Sequence, residues 1–275
     1  MTIPVLETPL LRMPRLGLGT WPMKGAEAQE AVESALGLGY RHVDTAEMYD
    51  NEAAVGAGIA ASGVRREEIF LTTKIWHTHL APADMRAAAK ASLERLRTPY
   101  VDLLLIHWPA PDMDLDASLE TLAALHEAGL ARAVGICNFP LGLLRRAVES
   151  KRAPIACLQV EYHVYLNQAP LLAYCQQNGL ALTAYAPTTK AAVENDPVMR
   201  RIAEKHRATP VQIALAWLLG QENVVAIPKA ARVANQRTNL AAIELRLDAG
   251  DREAIAALPK TRRLVNPSFA PDWTA

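Results

Sequence analysis

Residues 39–56 read GYRHVDTAEMYDNEAAVG. Positions 40–43 form a short apolar-leaning run that fits a buried strand, and the run ends on Asp44. Tyr49 follows five residues later, and Asp50 or Asn51 is placed to cap an apolar helix over 52–62. An acid and a phenol therefore stand at the exit of a strand, where loops commonly hold chemistry. Bringing that pair together in a core is costly unless it has work to do, so the stretch points to a site.

Working outward, the same unit repeats. Short, often β-branched apolar runs are expected as strands at 15–19, 40–44, 69–73, 101–106, 132–136, 156–160, 180–184 and 223–227. Helical spacing lies between them. Met85, Ala89, Leu93 and Leu96 share one face of a helix with Pro82 in its first turn and Pro99 beyond its end. Thr209-Pro210-Val211-Gln212 reads as a capping box with proline at the first helical position. Helices also fit 26–37, 117–128, 140–149, 168–178 and 232–241, with 197–206 and 249–257 in excess of eight units. Eight strand–helix units in alternation predict an α/β fold, a (β/α)8 TIM barrel rather than an open doubly wound sheet. Residues 1–14 read as a hairpin or lead-in strand. The tail after Pro259 keeps Phe269 and Trp273 and is expected to pack as a loop on the body.

Composition narrows the function. The chain has 275 residues, about half of them apolar, and no linker divides it, so one domain over 1–275 is expected. Lys plus Arg and Asp plus Glu are equal at 29, with no basic patch of nucleic-acid type. No run is long or apolar enough to suggest a membrane span, and the first residues lack a secretory layout. Cys137, Cys157 and Cys175 form no CxxC, which fits a reduced, cytoplasmic setting, and a monomer is expected.

Ionisable residues recur at the strand exits: Asp44 and Tyr49 after the second, Lys74 after the third, His107 after the fourth. In a parallel barrel these exits share the face where active sites sit. An ammonium ~4 Å from a phenolate, at an effective dielectric of ~20, attracts it by roughly 4 kcal/mol before desolvation. Lys74 is therefore expected to lower the Tyr49 pKa, with burial reducing the net effect. Asp44 would hold Lys74 charged, and His107 would orient a carbonyl oxygen beside the Tyr49 hydroxyl. Together they make a proton donor for a developing alkoxide, suited to carbonyl reduction. Singly, each has a plainer explanation: a structural salt bridge, a rim tyrosine, a core histidine. Four on one face favour chemistry.

The chain resembles the aldo-keto reductases through GLGTW (17–21), the 39–56 stretch, TTKIW (72–76), VDLLLIHWP (101–109), NF (138–139), LQVEYH (158–163) and IPK (227–229). DNEAAVG, LIHWP and the RLVNPSFAPDW tail are similar to the bacterial 2,5-diketo-D-gluconate and methylglyoxal reductase branch. The resemblance implies NADPH bound across the strand exits without metal, and a tail closing the site. It implies Asp44, Tyr49, Lys74 and His107 as the catalytic set, with hydride passing to the carbonyl carbon and a proton from Tyr49. Asn138 and Gln159 would bind the nicotinamide carboxamide, and Tyr185 would stack on its ring. Thr20, Lys229, Arg232 and Asn239 are further cofactor positions. Trp21, Trp76 and Trp108 would line the substrate pocket.

Departures fall mainly at the adenosine end. Cys137 and Ala230 replace serines usual in the family, and Asn235 stands where an arginine often meets the 2′-phosphate. NADPH is expected to keep a narrower advantage over NADH. GLG at 17–19 lacks a third glycine for a Rossmann motif. His77 and His79 read as surface-loop residues, and Glu161 and His163 as supports for a strand exit. Two alternatives stay open: a lyase forming a Schiff base on Lys74, and a nucleotide-binding regulatory subunit with negligible turnover.

Overall fold

Strands too short to stand alone are stable here because every one has a parallel neighbour on each side. The computed structural model describes residues 2–274, with the side chain at position 190 outside the description. A hairpin, β1 (Val5–Thr8) and β2 (Leu11–Pro14), precedes the barrel. The barrel strands are β3 (Leu18–Gly19), β4 (His42–Asp44), β5 (Phe70–Ile75), β6 (Val101–Ile106), β7 (Ala131–Cys137), β8 (Ile155–Glu161), β9 (Ala181–Tyr185) and β10 (Val224–Ala226). They are ordered sequentially around the sheet. Parallel bridges from Leu16 to Ala226 and from Gly19 to Lys229 join the last strand to the first and close the ring. Gly17 N donates to Ala226 O (2.9 Å) and Gly19 N to Pro228 O (3.1 Å) across that seam.

Period-two alternation decides which residues face the barrel axis. Val43, Leu71, Ile75, Leu104, Ile106, Leu158 and Val160 belong to the large core under the helices. Phe70, Leu103, Leu105, Cys137 and Cys157 belong to a second cluster with Leu6, Leu11 and Met13 of the hairpin, so the hairpin floors the barrel. By the same alternation Asp44, Lys74, Gln159, Glu161 and Tyr185 face inward at the opposite end, where the strands exit.

The outer layer is α1 (Gly25–Gly37), α2 (Glu52–Ala61), α3 (Pro82–Leu96), α4 (Leu115–Glu127), α5 (Leu141–Glu149), α6 (Ala169–Gln177), α7 (Pro197–Lys205), α8 (Pro210–Leu219), α9 (Val233–Ala241) and α10 (Ala249–Ala256). The α/β barrel expected from the sequence is the fold observed, and α7 and α10 are its extra helices. The Thr209–Gln212 capping box opens α8. No helix among the described residues is long and apolar enough to cross a membrane.

Three local expectations need correction. The first two barrel strands are shorter than the apolar runs suggest, β3 having only two residues and β4 starting at His42. Gly17 lies against the His42 ring, where a Cβ would come 2.5 Å from Nδ1. Lys74 is not beyond its strand but within β5, which extends to Ile75. Asn51 precedes α2 without capping it. Its buried amide instead accepts from Thr45 Oγ1 (2.6 Å) and donates to Met23 O (2.9 Å), tying the strand-exit loops together.

Candidate active site

Lys74 is the centre of the site because it is a fully buried cation that must be neutralised. Its Nζ lies 2.5 Å from Asp44 Oδ1, donates to Thr45 O (2.7 Å), and reaches Tyr49 Oη at 3.4 Å. Asp44 uses its other oxygen, Oδ2, to accept from Gln159 Nε2 (2.8 Å). The acid, amine and phenol come from two adjacent strand exits, and the amide from across the barrel. Burial alone pulls the Lys74 ammonium pKa down, but Asp44 and the phenolate form of Tyr49 outweigh it and the net shift is upward.

Tyr49 closes a short 3-10 turn, Glu47–Tyr49, and is half-buried. Its ring packs on Trp21 (centroids 5.1 Å) and edge-on to His107 (5.5 Å). The expected net lowering of its pKa is reversed. Burial pushes the phenol up to about 12, against the pull of Lys74, and Asp44 adds to the rise. The reason is that desolvation of the phenolate outweighs the attraction of Lys74, and the Asp44 carboxylate beside Lys74 offsets part of that attraction.

His107 follows β6 and is buried. Burial, then Lys74 and His77, hold its pKa well below the usual imidazole value, so it is neutral at neutral pH. Its Nδ1 is buried without a partner among the described residues. An unpaired lone pair is cheaper there than an unpaired N–H, which places the proton on Nε2. The His107 carbonyl accepts from Asn138 Nδ2 (3.0 Å).

Asn138 directly follows β7 in the left-handed region (φ 62°), a conformation asparagine tolerates. Its Oδ1 accepts from Tyr185 Oη (2.9 Å). Asn138 thus keeps one amide hydrogen, and Gln159 Oε1 accepts no hydrogen bond from the described residues. A free N–H and a free C=O beside the flat Tyr185 ring are the complement of a primary carboxamide on an aromatic ring. The loop beyond Tyr185 holds Ala186, Thr189 and Ala191 at positive φ, a cluster of strain beside the site.

Other candidate residues take varied positions. Thr20 is fully buried and its hydroxyl donates to Asp44 O (3.0 Å), leaving it only lone pairs for a ligand. Cys137 is fully buried in the barrel interior, and burial drives its thiol pKa well up. Lys229 and Arg232 are exposed ahead of α9, with Lys229 Nζ 3.6 Å from Glu27 Oε1. Asn235 is exposed in the first turn of α9, whereas Asn239 and Ala230 are buried.

The tryptophans differ in exposure: Trp21 is 48% exposed and Trp108 only 4%. Trp76 lies edge-on to His107 (5.2 Å) and to Phe269 (5.4 Å), and Trp108 packs on Phe269 (5.6 Å) and Trp273 (6.0 Å). The tail therefore lies against the aromatic wall of the cleft. His77 is no bare loop residue, since it stacks on Phe269 (4.2 Å), while His79 Nδ1 lies 2.8 Å from Glu47 Oε1.

Two roles at the site were not anticipated, that of Glu47 and, beyond support of its strand exit, that of Glu161 in holding the tail. Glu47 also accepts from Trp76 N (2.9 Å), fixing the loop after β5 to the Tyr49 turn. Glu161, fully buried, accepts from Leu264 N (2.6 Å), Val265 N (2.8 Å) and His163 Nε2 (2.9 Å), so it anchors the tail. The two-residue step from Gln159 to Glu161 was the available signal, because it puts both side chains on the inner face.

The geometry agrees with likeness to known proteins. The sequence pattern of the Aldo/keto reductase family matches residues 15–260. Methylglyoxal reductase DkgB of Escherichia coli O157:H7 is 43% identical over 267 residues, spanning 96% of this chain and all of that protein. Glyoxal reductase of Bacillus subtilis (strain 168) is 38% identical over 92% of both chains. A solved structure provisionally named a 2,5-diketo-D-gluconic acid reductase B superposes with a TM-score of 0.93 at 40% identity, covering 95% of this chain and 94% of its own. An aldo-keto reductase complexed with NADPH superposes with a TM-score of 0.91 at 30% identity, covering 98% and 91%. A closed barrel, a buried Lys–Asp pair beside a cleft tyrosine, and similarity over nearly the whole length agree: the chain is an oxidoreductase that belongs to the aldo/keto reductase family.

Proposed function

We propose that this protein uses NADPH to reduce small aldehydes, 2-oxoaldehydes and diketo sugar acids to alcohols, with Tyr49 as the proton donor. The observation that carries the reading is the Tyr49 hydroxyl, half-buried in an aromatic cleft, 3.4 Å from the ammonium of Lys74. Asn138, Gln159 and Tyr185 fit a nicotinamide ring and its carboxamide, and Lys229 and Arg232 are cations available to phosphate. Bound there, NADPH supplies a hydride to the carbonyl carbon. The protein's own part is orientation and proton delivery. Tyr49 Oη and His107 Nε2–H converge on a carbonyl oxygen as two hydrogen-bond donors. A phenol with a pKa near 12 stays protonated at neutral pH, yet it is a far stronger acid than the alcohol formed, so transfer to the alkoxide is downhill. Lys74 stabilises the phenolate left behind, and Asp44 keeps Lys74 charged. Three free, buried cysteines suit the cytoplasmic setting.

The Schiff-base reading is weaker on the same geometry. A nucleophilic lysine needs a lowered pKa, whereas that of Lys74 is raised and its hydrogens are directed to Asp44 and Thr45 O. The experiment is Tyr49→Phe, assayed with methylglyoxal. Turnover should fall by about 10²–10⁴-fold, while NADPH binding, followed by tryptophan fluorescence, stays within a few-fold. Wild-type kcat in the variant would remove Tyr49 from the mechanism.

A further inference from the structure

Arg263 is held at the cleft without a hydrogen bond to the described residues. The chain around it is stitched to the exit of β8 and the loop that follows. Asn167 N donates to Lys260 O (3.0 Å), Arg262 N to Tyr165 O (2.9 Å), and Leu264 N and Val265 N to the Glu161 carboxylate. Both neighbours of Arg263 are thereby fixed. Its guanidinium carbon lies 3.6 Å from the Trp273 ring centroid, and Trp273 packs on Trp108 of the pocket wall. Glu161 and Tyr185 lie near enough for their charges to act on it. No hydrogen bond joins it to Glu161, whose carboxylate is turned to two backbone N–H groups and His163.

Four arginines are half-buried: Arg15, Arg41, Arg66 and Arg263. The first three direct their N–H groups to backbone carbonyls, and Arg66 also pairs with Asp102. Arg263 makes no hydrogen bond or ion pair with the described residues, and its Nη1 is buried. A buried donor left unsatisfied is expensive, and a preorganised guanidinium fork matches a carboxylate.

We propose that Arg263 reads a carboxylate on the substrate, so that the site prefers aldehydes and ketones bearing an acid group a few carbons from the reacting carbonyl. This rests on the reductase reading above and adds a specificity residue to it. The neutral wall of Trp76, Trp108 and Phe269 then holds the carbon chain while Arg263 fixes its far end. A phosphate oxygen of the cofactor is the other anion that could meet a guanidinium, and the test separates the two.

The test compares succinic semialdehyde with butanal, the same carbon chain with and without the acid, in wild type, Arg263→Met and Arg263→Lys. The wild-type kcat/KM ratio should favour the acid by about tenfold or more, Arg263→Met should collapse that ratio by about ten- to a hundredfold, and Arg263→Lys should retain part of it. A ratio unchanged within about twofold in Arg263→Met, including both substrates falling together through lost packing on Trp273, overturns the proposal. So does a tenfold loss of NADPH affinity with the ratio intact, which would assign Arg263 to the cofactor. Glutarate titrated calorimetrically into the NADPH-loaded protein gives a readout without turnover: saturable binding to wild type that Arg263→Met loses. If wild type reduced neither aldehyde, the reductase reading would fail, while the glutarate arm would still judge Arg263. Absence of glutarate binding to wild type would count against it.

Discussion

Replacing Asp44 with asparagine should make this protein's stability rise with pH above neutrality. The Asp44–Lys74 pair is buried, with side-chain exposures of 2% and 0% and a separation of 2.5 Å. At that distance and an effective dielectric of about 20, the attraction is about 6–7 kcal/mol before desolvation is subtracted. Removing one partner of a buried pair costs about 3–5 kcal/mol, because the other charge is left uncompensated. In the wild type the folded-state pKa of Lys74 lies above its unfolded value. Its contribution is therefore fully present below the unfolded value of about 10.4 and is lost only as pH rises through the folded pKa. In Asp44→Asn the desolvation that opposes this remains while its main counterweight is gone, so the folded pKa drops below 10.4. Between the two values the unfolded chain then binds more protons, and stability rises with pH. Guanidinium unfolding at pH 7 and pH 10 measures this. The variant should be weaker by about 3–5 kcal/mol at pH 7 and recover part of the loss at pH 10. Equal stability of the two proteins at pH 7, or a variant that gains no stability between pH 7 and pH 10, would refute the argument.

His107 is held neutral and Tyr49 protonated, so kcat/KM for a neutral aldehyde should show no inflection between about pH 6 and pH 9. An inflection near pH 6.5 that His107→Gln abolishes would contradict the neutral-imidazole assignment. At the cofactor end, Asn235 carries no charge beside the exposed Lys229 and Arg232, and Lys229 is shared with Glu27. The kcat/KM preference for NADPH over NADH is therefore expected to stay below about a thousandfold (roughly 4 kcal/mol) and to widen about tenfold in Asn235→Arg; no change in that variant counts against this placement. Gly56 ends the 39–56 stretch where α2 crosses the end of α3, and a Cβ there would come 2.5 Å from Leu96 O. Gly56→Ala should cost about 1–3 kcal/mol by denaturant midpoint, and a loss under about 0.5 kcal/mol would show that the crossing can relax.

Much of this molecule is written in short-range pattern. A strand needs only its alternation and a helix only its spacing, so residues 39–56 disclosed a strand, a turn and a helix, and seven further units followed. Because parallel strands must exit at one end, the spacing of Asp44, Lys74 and His107 along the chain already implied that they meet. What tertiary structure alone decided is the outcome of competing long-range terms. The direction of the Tyr49 pKa shift depends on whether burial of the phenol outweighs the pull of Lys74, and burial is set by how the loops pack around the ring. Asn51 could cap α2 or tie loops, and only the packed loops select the second. The tail has no periodicity to read; its course is set by the Glu161 carboxylate and by backbone hydrogen bonds to the loop after β8, and that course leaves Arg263 at the cleft without a hydrogen bond to the described residues.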